Sequence, residues 1–413
     1  MITFTDILIY IVIFISIYST VYFLLVLLEN KKNIRKKETK NFMSVTVIVP
    51  AYNEEKTLKK TIDSLLNLDY PKDKLKIVII DDGSTDNTKK VGKEYAKQKN
   101  IEFYSKPNGG KHTALNFALE RCNTDLVGAL DADSFVDHKA LKRIVSFFSN
   151  KKVMAVTPSM KIHNPKTVLQ HIQRIEFLIG IFLRKIFAFL DSIHVTPGPF
   201  TIYRTDFFKK YGFYKKAYQT EDIEIALRIQ SKNYRIENCI DAYVYTHGPS
   251  KFVPLKKQRI RWYRGFLENV MDYKELFGKK HGNLGLFVLP MSFVSVGLVI
   301  VLAIYNLGLV IKNSYTHFHN LMAVNFDIMN LQFFRFDLFF INAKPVALLG
   351  FLGLGLTVAL IIITKKISSE RQSILKSYVY FFFFYWILFA YWWSVSIYQK
   401  MINKKTSWGH KSE

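Results

Sequence analysis

Residues 7–28 read ILIYIVIFISIYSTVYFLLVLL, a run with no charged side chain. A stretch of that length and apolarity can cross a bilayer as a helix. A chain that carries one must satisfy every backbone polar group inside hydrocarbon, so its spans can only be helical or barrel-like. The preceding MITFTD lacks a basic region and no small-residue cleavage site comes after the run, so the segment is expected to be an uncleaved anchor. The next stretch, ENKKNIRKKETK, is strongly basic. The positive-inside tendency places it, and the domain C-terminal to it, in the cytoplasm. Three more apolar stretches occupy roughly 285–311, 345–364 and 377–398. The segment 318–342 is rich in Phe but holds Asp327, Arg335 and Asp337, which suits an interfacial or re-entrant piece. If all four stretches crossed, the basic tail KMINKKTSWGHKSE would end on the side opposite the domain that comes after the first span. Either 318–342 helps to cross, or one stretch does not span fully.

A net charge of +25 accompanies these spans, with 35 Phe and 23 Tyr. That combination fits a protein whose basic side meets anionic lipid head groups or phosphate-bearing substrates. Nucleic acid is the other partner of a basic chain. The basic residues lie beside the apolar spans and no recognition motif is present, so nucleic acid is not expected. The cysteines, Cys122 and Cys239, show neither disulfide nor metal-ligand spacing and read as core residues.

Between the spans, residues 44–250 alternate strand and helix patterns. VTVIVP (45–50) is an apolar strand, and Leu58, Ile62, Leu65 and Leu66 then repeat at helical spacing. KIVIIDD (76–82), IEFYS (101–105) and LVGALDAD (126–133) are further strands, separated by the helical DNTKKVGKEYAKQ and GKHTALNFALERC. The alternation predicts an α/β fold with a mostly parallel sheet, whose ligands bind at the carboxyl ends of the strands. Residues 166–190 and 254–277 are amphipathic and basic, either membrane-interface helices or ordinary core helices.

The acids cluster at those strand ends. Asp131 and Asp133 come just after the apolar run 127–130, and two carboxylates one residue apart can hold one divalent cation such as Mg²⁺ or Mn²⁺. The alternative is that they cap a helix starting near Asp137. Asp81 and Asp82 end another strand beside Gly83, placed to accept from a base or ribose, or simply to build a turn. In Pro50-Ala51-Tyr52-Asn53-Glu54, Tyr52 can stack on a base or pack, and Glu54 joins it as a donor-site candidate. Lys111 comes after two glycines at a helix start, a place suited to phosphate. Asp222, in TED (220–222), is a candidate general base with Glu221 beside it, or else part of a cap led by Thr220. Gln258, Arg261 and Trp262 stand at i, i+3 and i+4 on one helix face, where Arg can grip pyrophosphate and Trp can stack on a sugar. A basic interface helix is the plainer reading.

In order, PAYNEE, DDGSTDNT, GGKHTALN, DADS, GPFTIYR, TED and QRIRW resemble the motifs of family 2 glycosyltransferases of the membrane-embedded, processive kind, such as the poly-N-acetylglucosamine, hyaluronan and cellulose synthases. The resemblance covers about residues 44–265 and the flanking spans. It implies a GT-A, Rossmann-like cytoplasmic domain over 31–253, an N-terminal span over 1–30, an interfacial QxxRW helix over 254–284 and a transmembrane region over 285–413. It implies a nucleotide-sugar donor, a UDP-sugar such as UDP-GlcNAc, with Asp81 or Asp82 on the uridine and Lys111 on the nucleotide phosphates. Asp131 and Asp133 would hold the diphosphate through Mg²⁺ or Mn²⁺, Asp222 would be the base, and Gln258, Arg261 and Trp262 would line the donor and acceptor sites. The acceptor would be a glycan or a lipid-linked sugar at the cell membrane, with room for an accessory subunit. Addition of one sugar to a polyprenyl phosphate or glycolipid is the alternative within enzymes; a transporter or basic scaffold is the alternative outside them. Pro197-Gly198-Pro199 departs from the Ser-Gly of several relatives, which bears on acceptor choice. His247 is either an extra metal ligand or a structural residue.

Overall fold

The computed structural model describes residues 4–39, 41–323 and 345–402. Eight strands form one sheet: β1 Val45–Ala51, β2 Leu75–Asp81, β3 Ile101–Ser105, β4 Leu126–Ala129, β5 Ser134–Val136, β6 Val153–Ile162, β7 Ile202–Arg204 and β8 Arg235–Thr246. Their order is β3-β2-β1-β4-β7-β6-β8-β5. The half built from β3, β2, β1 and β4 is wholly parallel. Beyond it β7 runs antiparallel to β4 and β6, β6 and β8 pair in parallel, and β5 closes the edge antiparallel to β8. The strands β1 and β2 are buried on both faces, as continuous Val/Ile runs in a helix-covered sheet should be.

Twelve helices are described: α1 Phe4–Glu29, α2 Leu58–Leu66, α3 Thr88–Tyr95, α4 Lys111–Leu119, α5 Ala140–Val145, α6 Val168–Phe189, α7 Thr205–Tyr211, α8 Glu221–Ser231, α9 Phe252–Asp272, α10 Leu289–Ala323, α11 Pro345–Ile367 and α12 Leu375–Met401. On one face of the sheet Leu58, Ile62 and Leu65 of α2 and Leu141 and Ile144 of α5 pack against β1 and β2. On the other, Ala114 and Leu115 of α4, Phe207 of α7 and Ile225 of α8 pack against β1, β2 and β4. Both cysteines lie buried and free in these layers, as expected of core residues.

The helix α6 covers β6 and β8 and turns its other side to α1, α11 and α12. It resolves the choice left by its amphipathic pattern: it is both a core helix and the domain's border with the apolar helices. Among the described residues four helices are long and apolar enough to cross a membrane, at Ile7–Glu29, Leu284–Ala323, Leu348–Ile367 and Leu375–Met401. Most of the ambiguous segment 318–342 lies outside the described residues; its first part continues α10 to Ala323. The loop joining α11 to α12 is clasped to the domain. Glu370 accepts from Arg174 at 2.9 Å and pairs with Lys161 at 3.3 Å, Lys161 donates to Ser368 O, Arg174 to Ser373 O, and Arg35 to Ser369 Oγ.

Candidate active site

The register of the parallel strands sets the site. Ala51 lies level with Asp81, and Asp81 with Ser105, so the loops after β1, β2 and β3 leave the sheet at one height. Four residues of β1 pair with β4, and the chain leaves β4 two residues before Asp131. The pair Asp131 and Asp133 leads into β5, not into a helix; α5 begins only at Ala140. The capping alternative for these acids therefore fails, because there is no helix N-terminus for them to serve.

Between the acids stands Lys111, the first residue of α4. Its ammonium lies 2.5 Å from Asp131 and 3.5 Å from Glu221. Burial works against that charge, but Asp131 and Glu221 outweigh burial and hold the ammonium above the usual lysine range. Asp133 titrates high, first because it is buried and then because Asp131 is beside it. Glu54 is pushed up to about 6 by burial, against its hydrogen bond from Thr57, with the charges of Asp133 and Asp131 adding to the rise. Glu54, Asp131 and Asp133 thus lie within charge range of one another and offer oxygen donors, the ligand type a hard divalent cation takes. Among the described residues no group of three or more His, Cys, Asp or Glu is arranged to hold a metal unaided, so a cation here needs oxygens from a ligand such as a diphosphate.

Asp222 lies within charge range of the same Lys111. Its carboxyl is pushed up to about 6 by burial and by Glu221, opposed by Lys111 and Arg261. Thr220 stands at the N-cap of α8, but the side-chain cap of the alternative reading is absent. Its hydroxyl donates to Ala217 O at 3.0 Å and accepts from Asn269 at 2.9 Å, since α9 takes it away from the helix start. Asp222 caps in part for itself, accepting from Ile223 N at 3.0 Å. Its backbone oxygen takes two bonds from Thr196, at 2.7 Å from the hydroxyl and 3.2 Å from the amide. Thr196 in turn accepts from Tyr203. These two residues carry no sequence signal that would have marked them. Gly198, next along, comes so close that a Cβ there would sit 2.9 Å from the Lys111 ammonium.

Asp81 and Asp82 lie at the end of β2 as expected, only 1% and 2% exposed. Their oxygens are engaged with the protein. Asp81 accepts from Ser105 and Ser84 N. Asp82 accepts from Lys106 at 2.6 Å and from the amides of Gly109 and Gly110. Asp82 therefore fixes the glycine loop that delivers Lys111. Gly83 makes the turn after them with φ +78, and a Cβ there would meet Asn108 N at 2.7 Å. Tyr52 stays half-buried at the end of β1.

On α9, Arg261 faces Asp222 while Gln258 and Trp262 are both held by Arg259. Arg259 has no exposed surface. It donates to Glu176 of α6 at 2.6 Å and to Gln258 at 2.8 Å, and its guanidinium stacks 4.3 Å from the Trp262 ring. In the sequence it stands among the bases of KKQRIRW with only its place between Gln258 and Arg261 to mark it. Gly265 lets α9 lie against the TED turn, where a Cβ would come 2.2 Å from Thr220 Oγ1. His247 sits in a ring cluster, 5.3 Å from His163 and 6.3 Å from Phe135.

Residues 46–212 match the family described as "Glycosyl transferase family 2". The poly-beta-1,6-N-acetyl-D-glucosamine synthase of Staphylococcus epidermidis is 32% identical over 240 residues, 57% of this chain and 58% of the relative. The synthase of the same name from Staphylococcus aureus (strain COL) is 32% identical over 225 residues, 54% of each chain. The chain spans about half the length of these curated relatives. Among solved structures, a mannosyltransferase of Pyrobaculum calidifontis in complex with GDP-Man and Mn²⁺ shares the fold, with a TM-score of 0.55 at 18% identity over 90% of this chain and 99% of that one.

Proposed function

Taking residues 46–212 as a glycosyl transferase family 2 domain, we propose that this chain moves a sugar from a nucleotide-diphosphate donor to a hydroxyl of a growing, membrane-associated polysaccharide. UDP-N-acetylglucosamine is the favoured donor, by analogy with the activity named for the staphylococcal relatives. The observation that carries the reading is the convergence of Asp222, Lys111 and Arg261 on the pocket of Asp131 and Asp133.

The reaction is a single inverting displacement. Asp222 takes the proton of the acceptor hydroxyl, whose oxygen bonds to the anomeric carbon as the bond to the diphosphate breaks. A carboxyl titrating at about 6 is a stronger base than an ordinary aspartate yet still ionised at neutral pH. Lys111 and Arg261 are placed to neutralise the charge that the leaving diphosphate gains, the kind of preorganised electrostatics that dominates catalysis. Asp131 and Asp133 would hold Mg²⁺ or Mn²⁺ with the diphosphate; when bound, the ion supplies further positive charge to the leaving group. Glu221 keeps Lys111 in place, and Asp82 presents the loop of Gly109 and Gly110 to the nucleotide, with Asp81 and Tyr52 on the nucleoside side. Gln258 and Trp262, set by Arg259, would face the acceptor.

On this reading the chain divides into a span over 1–30, a catalytic domain over 31–253, the QxxRW helix within 254–284 and an apolar region over 285–413. The basic run after α1 argues for a cell-membrane protein with its catalytic domain in the cytoplasm. Incubation of the protein in lipid nanodiscs with a panel of labelled nucleotide sugars, and then sizing of the product, tests the proposal. Long chains from UDP-GlcNAc, lost on chelation and in Asp222→Asn, are expected. A product bearing one sugar on lipid would replace polymerisation by single addition, and no transfer from any donor would defeat the reading.

A further inference from the structure

We propose that α12 lies in the plane of the membrane interface, covered on its outer side by lipid, and that among the described helices only α1, α10 and α11 cross the bilayer. The contacts differ in kind. α1 and α11 reach α6 through their C-terminal parts alone, at Val26 and Leu27 and at Leu360, Ile363 and Ile367. The buried residue of α10 is Leu289, at its start. These helices stand end-on to the domain. α12 is bound to it along its whole length. Ser377 bonds His171, Tyr385 reaches Glu176 at 3.5 Å, Trp393 stacks on Tyr263 with centroids 4.5 Å apart, Ser396 donates to Ile260 O, and Lys400 touches Met271.

The helices beneath it cannot lie in hydrocarbon. α6 packs on β6 and β8 and carries Arg174, Glu176 and Lys185; α9 packs on α8 and carries Arg259, Arg261, Arg264 and Glu268. Charged side chains at these densities are not tolerated at bilayer depth. At ~1.5 Å per residue α12 is about 40 Å long, more than the ~30 Å hydrocarbon core. A helix leaving along the membrane normal would lose contact with the domain within a few turns, and α12 does not. Nor does it form a hairpin with α11: the two are not packed along their lengths, and an apolar cleft of about 580 Å³ opens between Gly350 to Thr357 and Tyr378 to Trp386.

The outward side of α12 shows Val379, Phe383, Trp386, Ile387 and Tyr398. It continues the exposed apolar surface of α10 and α11, which identifies lipid as its cover. Aromatic residues with Lys376 and Lys400 near the ends suit the headgroup boundary. With α1, α10 and α11 as the crossings of the chain, residue 402 returns to the side of the domain, which also agrees with the basic sequence KKTSWGHK at 404–411.

Cysteines placed singly at Ile402 and at exposed Lys97 of the catalytic domain test the topology, since the native cysteines are buried. An impermeant maleimide applied to sealed vesicles of each orientation should label both in the same orientation; labelling of Ile402→Cys in the opposite one overturns the proposal. Spin labels at exposed Val379, Ile387 and Ser394 provide a second reading by oxygen and nickel accessibility. Equal, shallow depths are expected. A deep Ile387 with the flanking labels shallow means α12 crosses, and spin–spin coupling with loss of oxygen access means that a second copy of the chain, not lipid, covers this side; either result refutes it.

Discussion

Replacing Asp222 with asparagine is expected to abolish transfer while making the protein more stable at neutral pH. The Asp222 carboxyl titrates at about 6 in the fold, against an ordinary 3.8. About two pKa units at ~1.4 kcal/mol each give an upper bound of roughly 3 kcal/mol, and partial solvent access reduces this to about 2 kcal/mol. The direction comes from proton linkage. The folded state holds the proton to a higher pH than the unfolded chain does, so the group's contribution is intact below about pH 4 and is lost as pH rises through about 6. Above that, the native state carries a carboxylate it disfavours. Asparagine has no charge to disfavour, and its amide oxygen can still accept from Ile223 N. Lys111 keeps Asp131 and Glu221 as partners. At ~2–4 °C per kcal/mol for a domain of this size, Tm of the variant should exceed that of the parent by about 4–8 °C near pH 8 and match it near pH 4. Thermal unfolding monitored by tryptophan fluorescence in nanodiscs across that pH range measures it. A variant less stable at pH 8, or a difference that does not change with pH, would show that the carboxylate is not strained.

Transfer by the parent should rise with pH along a limb centred near 6 and level off above it, because the base must be ionised; a rate independent of pH between 5 and 8 rules Asp222 out as the titrating group. Lys111→Met should lower kcat by at least tenfold and shift that limb upward, since it removes a cation that favours the Asp222 carboxylate. Gly265→Ala should push α9 off the Thr220 turn and cost about 1–3 kcal/mol by overpacking, whereas Gly297→Ala, with open space around it, should be silent; equal Tm values for the two would contradict the close approach.

The parallel half of the sheet could be read from the chain because its strands are local, largely apolar runs separated by helical patterns, and the acids at the end of β2 and just after β4 marked one rim of the site. The other half could not. β7, β6, β8 and β5 pair across long sequence gaps, and Ile202–Arg204 is too short to announce itself. Residue types also misled where a neighbour outcompeted the local preference. Thr220 looked like a helix cap, yet Asn269 of α9 claims its hydroxyl. Arg259 stands in the basic run KKQRIRW like its neighbours Lys256 and Lys257, yet Glu176 and Trp262 bury it. The identity of Lys111 as the counter-ion between acids depended on α4 and α8 converging, which no pattern within either helix encodes.

The clasp on Glu370 has a consequence for how the chain is made. Arg174 and Lys161 meet their acceptors at Ser373 and Ser368 across 199 and 207 residues. At ~5–20 residues per second, synthesis takes roughly 10–40 s to cover that gap. Throughout it the newborn sheet waits with two cations unmatched and one side of α6 bare. On the proposed topology the domain completes its packing only after α10 and α11 have entered the bilayer, so that its assembly is timed by membrane insertion and not by its own collapse.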